Sequence, residues 1–89
     1  MNKIIKALEE KGIKYTIDKK GNIVIELEKD CVWINGYNEE MKYNKQVTIH
    51  KDTYKNYIIG ETTGYNLSKT IAKSTKQDNI INAINERFL

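Results

Sequence analysis

The sequence contains no proline, and it has only one residue each of cysteine, histidine, tryptophan and arginine. A single cysteine cannot form an internal disulfide, which agrees with a reducing compartment. One cysteine and one histidine are also too few for a structural zinc site, which needs four such ligands. We therefore expect neither a metal nor any other cofactor.

Long apolar segments are also missing. No apolar run approaches the roughly 20 residues of a membrane span, and the amino terminus lacks the apolar core of a signal peptide. We expect a cytoplasmic protein without a membrane partner, folded as a single domain over residues 1–89. Lysine, isoleucine and asparagine have AT-rich codons and are abundant, which indicates a low-GC bacterial cell, or a phage or plasmid within one, as the source.

Cys31, Trp33 and His50 lie within one stretch of 21 residues and are the obvious candidates for chemistry. A thiol nucleophile needs a base within hydrogen-bond reach, and a helix N-terminus or a nearby cation to activate it. No such element accompanies Cys31. We predict that Cys31 and Trp33 are core residues, that His50 is an ordinary strand-end residue, and that the protein is not an enzyme and has no catalytic residues.

The apolar residues recur with a helical period at both ends of the chain and alternate in between. "MNKIIKALEEKG" predicts a helix with Asn2 as N-cap and Gly12 as a left-handed C-cap. A second helical stripe follows Ser74 or Thr75, either of which can cap it. The alternating segments predict an antiparallel meander of four to six strands. The fold class is therefore α+β, with both helices packed on one face of the sheet.

Several shorter patterns refine this meander. "KKGN" and Asn35-Gly36 predict hairpin turns. "CVWIN", which is apolar at four consecutive positions, predicts a strand that is buried on both sides. "GETTG" reads as a loop, and residues 65–72 remain open between an edge strand and a helical turn.

Acidic side chains concentrate in the middle of the chain, although the net charge is +3. This segment predicts an acidic surface for a basic partner, formed by Glu26, Glu28, Asp30, Glu39 and Glu40. Tyrosine gives a large contact area at low entropic cost, so exposed tyrosines are the candidate anchors. These are Tyr37, Tyr54 and Tyr57. The alternative is a solvated surface of mixed sign without a binding role.

"MNKIIKALEEKGIKYTIDKKGNIVIELE" resembles the start of small phage-encoded anti-CRISPR proteins of the type II-A group, in which an MN-led helix runs into a "YT" strand and an antiparallel sheet. The resemblance covers residues 1–28 and concerns the pattern, so no functional residue is carried over. It implies an inhibitor of a CRISPR effector nuclease. Such inhibitors are often strongly acidic mimics of DNA. In this positively charged chain, a local acidic face or another inhibitory mode would have to replace that mimicry.

Together these patterns predict a non-catalytic inhibitor or regulator from a phage or mobile element that binds a host protein. The alternative is a small nucleic-acid-binding regulatory protein, in which tyrosines stack on bases and neighbouring lysines contact phosphates. The residues concerned are Tyr43, Tyr54 and Tyr57 with Lys42, Lys45 and Lys55. A homodimer through exposed edge strands also stays open.

Overall fold

The computed structural model describes residues 1–88, which form a five-stranded antiparallel sheet with one helix at each end of the sequence. The elements are α1 (Asn2–Glu10), β1 (Thr16–Ile17), β2 (Ile23–Ile34), β3 (Glu40–Lys51), β4 (Tyr57–Gly64), β5 (Leu67–Ser74) and α2 (Gln77–Phe88). The strands lie side by side in the order of the sequence. This confirms the predicted α+β meander with two helices. Within residues 1–88, no helix is long and apolar enough to cross a membrane.

The hydrophobic core lies between one face of the sheet and the two helices. The sheet contributes alternating residues of its three central strands, and each helix contributes one apolar stripe. The fully buried large side chains are Ile4, Leu8, Ile23, Val47, Ile49, Ile59, Ile80 and Ile84. Each such side chain stabilises the fold by about 1.5–3 kcal/mol relative to an exposed one. Because both helices contribute to one core cluster, they pack on the same face of the sheet, as predicted.

The amino terminus of α1 is capped by a residue from the other end of the sequence. Met1 occupies the N-cap position without a side-chain hydrogen bond, so the prediction that Asn2 caps the helix is wrong. Instead, the backbone N–H groups of Lys3 and Ile4 donate to Oε1 of Gln77, at 3.1 and 3.3 Å. The first turn of α1 therefore depends on the docking of α2.

Gly12 ends α1 as the sequence predicted, with φ of +69°. Its N–H donates to the carbonyl of Glu9, and the N–H of Ile13 donates to that of Leu8. This pair of bonds is a Schellman motif, which requires a left-handed residue and so favours glycine.

The prediction that Ser74 or Thr75 caps α2 is wrong, because the helix begins at Gln77. Ser74 still belongs to β5, and its hydroxyl accepts bonds from Lys76 N–H and from Asn79 Nδ2.

The first three hairpin turns share one design. Each spans five residues, and a side-chain oxygen at the first position accepts from the backbone N–H groups two and four positions later, at 2.8–3.0 Å. The first positions are Asp18, Asn35 and Asp52. The fourth residue of each turn has a positive φ, as in a type I turn followed by a left-handed residue. The turns predicted at "KKGN" and at Asn35-Gly36 are therefore confirmed.

These bonds also set the acidity of the two aspartates. The N–H of Asn22 stabilises the ionised carboxylate of Asp18 and holds its pKa below the ordinary value. The N–H of Asn56 does the same to the pKa of Asp52. Both carboxylates thus act as fixed acceptors that hold their turns at neutral pH.

One further segment differs from the sequence prediction, and another decides between two alternatives that the sequence left open. "GETTG", residues 60–64, is not a loop but the second half of β4. Its Gly60 pairs with Thr48 of β3 on one side and with Thr70 of β5 on the other. A Cβ atom at Gly60 would lie 3.2 Å from the carbonyl oxygen of Lys69, so close packing explains this glycine. The segment 65–72, which the sequence left open, contains a tight turn and then the edge strand β5.

The cap between the two helices yields a stability prediction. Gln77→Ala should lower the free energy of unfolding by about 1 kcal/mol, because two N–H groups of α1 lose their acceptor. Urea unfolding followed by circular dichroism measures this loss. Asn82→Ala, at an exposed position of the same helix, is the matched control and should be neutral or slightly stabilising. Equal stability of the Gln77→Ala protein and the wild type would show that water replaces the cap.

Candidate functional site

The hairpin of β2 and β3 continues well beyond the rest of the sheet. β1 pairs with β2 only at Ile23 and Val24, and β4 pairs with β3 only as far as Val47. The β2–β3 ladder itself runs on from Glu28 and Lys45 to Ile34 and Glu40. Within residues 1–88, no other strand pairs with this part of the hairpin. We call residues 28–45 the arm.

Two irregularities in β2 mark the base of the arm. The register between β2 and β3 shifts between Glu26 and Glu28, and again between Glu28 and Cys31. At the second shift Asp30 has a φ of +57°, and its N–H donates to Oδ1 of Asn44 at 3.2 Å. Bulges of this kind bend a strand and increase its twist. They mark the point where the ladder of the helix-covered half of the sheet gives way to the arm.

The arm exposes apolar side chains that the sequence predicted to be buried. Val32 and Ile34 are 52% and 50% exposed, and Tyr37 in the turn at the tip is 87% exposed. The prediction that "CVWIN" is buried on both sides is therefore wrong. The reason is that Val32 pairs with Lys42, which by alternation lies on the face opposite the core residues Val47 and Ile49. Val32 and Ile34 therefore lie on the sheet face away from both helices.

Cys31 and Trp33 lie on the other face of the arm, and both differ from prediction. Neither belongs to the core cluster, and both are only partly buried. The indole of Trp33 nevertheless has a specific neighbour. A Cβ atom at Gly64 would lie 2.9 Å from Cδ1 and 3.1 Å from Nε1 of Trp33. The ring therefore packs against the backbone of Gly64, at the end of β4, and ties the arm to the rest of the sheet.

Most of the predicted binding residues fall on the arm. Five of them belong to it: Glu28, Asp30, Tyr37, Glu39 and Glu40. Glu26 lies just below its base, where its carboxylate accepts a bond of 2.6 Å from Gln46. The remaining two, Tyr54 and Tyr57, lie elsewhere.

The carboxylates do not form one cluster. Glu28 lies near the base and is 3.9 Å from the ammonium of Lys45. Glu39 lies at the tip, where Oε1 accepts a bond from Nδ2 of Asn35. Six strand residues separate base from tip, or about 20 Å at roughly 3.3 Å per residue. This distance exceeds the Debye length of about 8 Å at physiological salt, so the two groups act independently in solution.

The tyrosines are also separated. Tyr57 is only 9% exposed and belongs to the core, so its prediction as an exposed anchor is wrong. Its alternation with Ile59 places it on the helix-covered face. Tyr54 is 81% exposed but lies in the turn after β3, whereas Tyr37 precedes β3. Twelve strand residues, or about 40 Å, separate these turns, so one compact contact cannot include both.

Cys31 and His50 do not form a nucleophile–base pair. Cys31 is opposite Tyr43 on β3, and His50 lies seven residues further along that strand. The separation is about 23 Å. Among residues 1–88, no three His, Cys, Asp or Glu side chains are grouped closely enough to hold a metal ion. Cys31, Trp33 and His50 are thus spread along the β2–β3 hairpin and do not form one site.

Sequence reasoning missed Val32 and Ile34 as surface residues. The available signal was that both predicted helices pack on one face of the sheet, so the other face, which holds Val32 and Ile34, has no covering layer. Length was a further signal, because two short helices cannot cover two long strands even on their own face. Helices of 9 and 12 residues span about 14 and 18 Å, whereas strands of 12 residues span about 40 Å. Part of the long hairpin had to remain uncovered.

Comparison of the chain with family models, with curated proteins and with solved structures gave no match.

The contact between Trp33 and Gly64 can be tested directly. Gly64→Ala should lower stability by about 1–3 kcal/mol, because the added methyl group overlaps the indole ring. It should also shift the fluorescence of the only tryptophan. Gly36→Ala is the matched control, because no atom lies within 4 Å of its Cβ position. In a Trp33→Ala background the cost of Gly64→Ala should fall, and an undiminished cost would contradict the contact.

Proposed function

We propose that the protein is a non-catalytic binding protein that inhibits or regulates a host protein by covering part of its surface, and that the arm makes the contact. One observation carries the proposal: residues 28–45 form a hairpin that no other strand of the described chain pairs with, and this hairpin exposes Val32, Ile34 and Tyr37. Exposed apolar groups gathered on one projection mark interaction sites more often than scattered single ones.

The arm is suited to binding because its conformation is fixed before any partner arrives. A ladder of backbone pairs holds its two strands, and the tip turn is closed by bonds from Tyr37 and Glu39 N–H to Oδ1 of Asn35, at 2.8 and 3.0 Å. Trp33, which pairs with Met41 of β3, packs on Gly64 at the end of β4. A preorganised surface loses little conformational entropy on binding, so a larger share of the contact energy appears as affinity.

The charge at the tip supports a basic surface on the partner. Glu39 and Glu40 lie beside the exposed Tyr37, where carboxylates increase the rate of encounter with a basic patch. The resemblance of residues 1–28 to anti-CRISPR proteins makes a CRISPR effector nuclease the first partner to test. Since the net charge is +3, we propose local occlusion by the arm, and not mimicry of DNA by the whole surface.

The tyrosine positions weigh against the nucleic-acid alternative. That alternative used three tyrosines, of which Tyr57 is buried. Tyr43 lies on the arm, whereas Tyr54 follows the far end of β3, about 26 Å or more away. The tyrosines therefore do not form a continuous stacking platform, and protein binding is the better-supported function.

The apolar contact predicts a loss of binding without a loss of stability. Val32→Ser combined with Ile34→Ser should weaken the partner complex at least about tenfold, since burial of each side chain contributes more than 1 kcal/mol. The wild type is used to capture a partner from a low-GC bacterial lysate, with a purified type II-A effector nuclease titrated in parallel. Ile17→Ser, an equally exposed apolar residue on β1, is the control and should bind normally. Full binding by the double variant would show that the arm is not the contact surface.

The charged tip separates protein binding from nucleic-acid binding. Glu39→Lys with Glu40→Lys should slow association with a basic protein partner and reduce the salt dependence of that association. If the function is nucleic-acid binding, the same change should tighten binding and steepen its salt dependence. Association rates at two salt concentrations distinguish these outcomes. The control is Glu10→Lys with Glu86→Lys, which makes the same charge change at exposed helix positions away from the tip and should affect association with a protein partner less.

A further inference from the structure

We infer that a second copy of the chain covers the exposed face of the arm, in a symmetric dimer that a partner displaces when it binds there. By alternation this face lies on the side of the sheet away from both helices. We call it the open face. Its strand residues between the bulge and the tip are Val32 and Ile34 on β2, and Lys42 and Glu40 opposite them on β3. Displacement by a partner rests on the proposed function, whereas the dimer does not.

A single two-fold axis matches the residues of the open face with one another. The axis runs parallel to the sheet and perpendicular to the strands, at the level of the Trp33–Met41 pair. Each strand then lies antiparallel over its own copy, as in an isologous contact. Val32 faces Ile34 of the second copy, and Glu40 faces Lys42 in the same way. Because these residues form two neighbouring cross-strand pairs, one axis makes both matches.

The open face carries one charge of each sign, which suits a self-complementary contact. Glu40 and Lys42 lie two residues apart on β3, or about 7 Å, and within residues 1–88 neither forms an ion pair. In the dimer each gains an opposite charge, and the symmetry repeats the pair. The other two-fold arrangement, with its axis along the strands, would place Val32 over Lys42 and leave both charges unpaired. The antiparallel arrangement is therefore favoured.

The other charged residues of the arm do not oppose this contact. Lys45 alternates onto the face of the helices, where its ammonium lies 3.9 Å from Glu28. The carboxylate of Glu39 accepts a bond within the tip turn. Lys29 and Asp30 carry opposite charges side by side in the bulge. No charge of one sign is therefore in excess where the second copy lies.

A groove near the base of the arm extends the contact. Tyr37 is 87% exposed and lies about three positions beyond the axis, so the same rotation brings it to the level of Asn44. Asn44 lines a groove of about 450 Å³ between β3 and the β4–β5 turn, together with the hydroxyl groups of Thr48 and Ser68. A buried tyrosine needs a partner for its own hydroxyl. We expect Tyr37 of each copy to enter the groove of the other.

The size of the contact predicts a weak dimer. The overlap is two strands wide and about seven residues long, or roughly 10 by 23 Å. This area is well below the roughly 800 Å² per partner of a stable complex. We therefore expect a dissociation constant in the micromolar to millimolar range, which allows a host protein of moderate affinity to displace the second copy.

The test measures the oligomeric state of the intact protein without any partner. Sedimentation velocity and amide chemical shifts are recorded from about 10 μM to about 1 mM. The dimer should increase with concentration, and the shifts should concentrate in the arm and in the groove-lining residues of the β4–β5 turn. A partner captured by the wild type should then lower the dimer fraction when it is added.

Charge variants then test the register. Glu40→Lys alone and Lys42→Glu alone should each weaken the dimer at least about tenfold, because two like-charged pairs face each other. Combining the two changes should restore it, which also shows that neither loss is due to unfolding. An equimolar mixture of the two single variants should associate more strongly than either alone. The matched control is Glu10→Lys and Lys6→Glu on α1, which give the same net charges and should have little effect.

Several results would overturn the inference. These are a protein that stays monomeric up to about 1 mM, single charge variants that dimerise like the wild type, or an equal effect of the α1 variants. Dimerisation with shifts along β1 or β5 would assign the contact to a sheet edge. A monomer that still binds a host protein through Val32 and Ile34 would assign the open face to that protein alone. A charge-sensitive dimer that captures no partner would support the dimer and contradict the proposed function.

Discussion

The packing of two short helices against long strands is the constraint on which the rest of this structure depends. α1 and α2 cover the part of the sheet that contains Ile23, Val47, Ile49 and Ile59, and the core forms only there. A sheet face without a covering layer cannot bury its apolar side chains. The chain is therefore divided into a stable half with a closed core and an arm whose side chains are only partly buried.

The arm keeps its shape by other means than a core. A two-stranded hairpin is marginally stable in water by itself, so its ladder needs support. Here the support comes from the closed turn at Asn35, the bond from Asp30 N–H to Asn44, and the packing of Trp33 on Gly64. These contacts leave Val32 and Ile34 on the opposite, uncovered face. The feature that supports a binding function thus follows directly from what the helices fail to cover.

The small net charge conceals two surfaces of different character. The tip of the arm carries Glu39 and Glu40 beside exposed apolar groups, whereas β5 carries Lys69 and Lys73 and no acid within the strand itself. Mixed signs on a small surface usually serve solubility. At the tip of the arm, carboxylates and exposed apolar groups occur together, and this combination supports the proposed basic partner.

The sequence by itself determined the helices, the hairpin turns, the order of strands and the α+β class, because these follow from local periodicity and from residues such as Gly12 and Asn35 that act on their neighbours. The strand register of the structure, and not the sequence, places five of the eight predicted binding residues on the arm. The sequence also did not show that Tyr57 is buried, that Val32 and Ile34 are exposed, or that Gln77 caps α1. Each depends on which surfaces meet across the fold, and a local pattern contains no information on where a neighbouring layer ends.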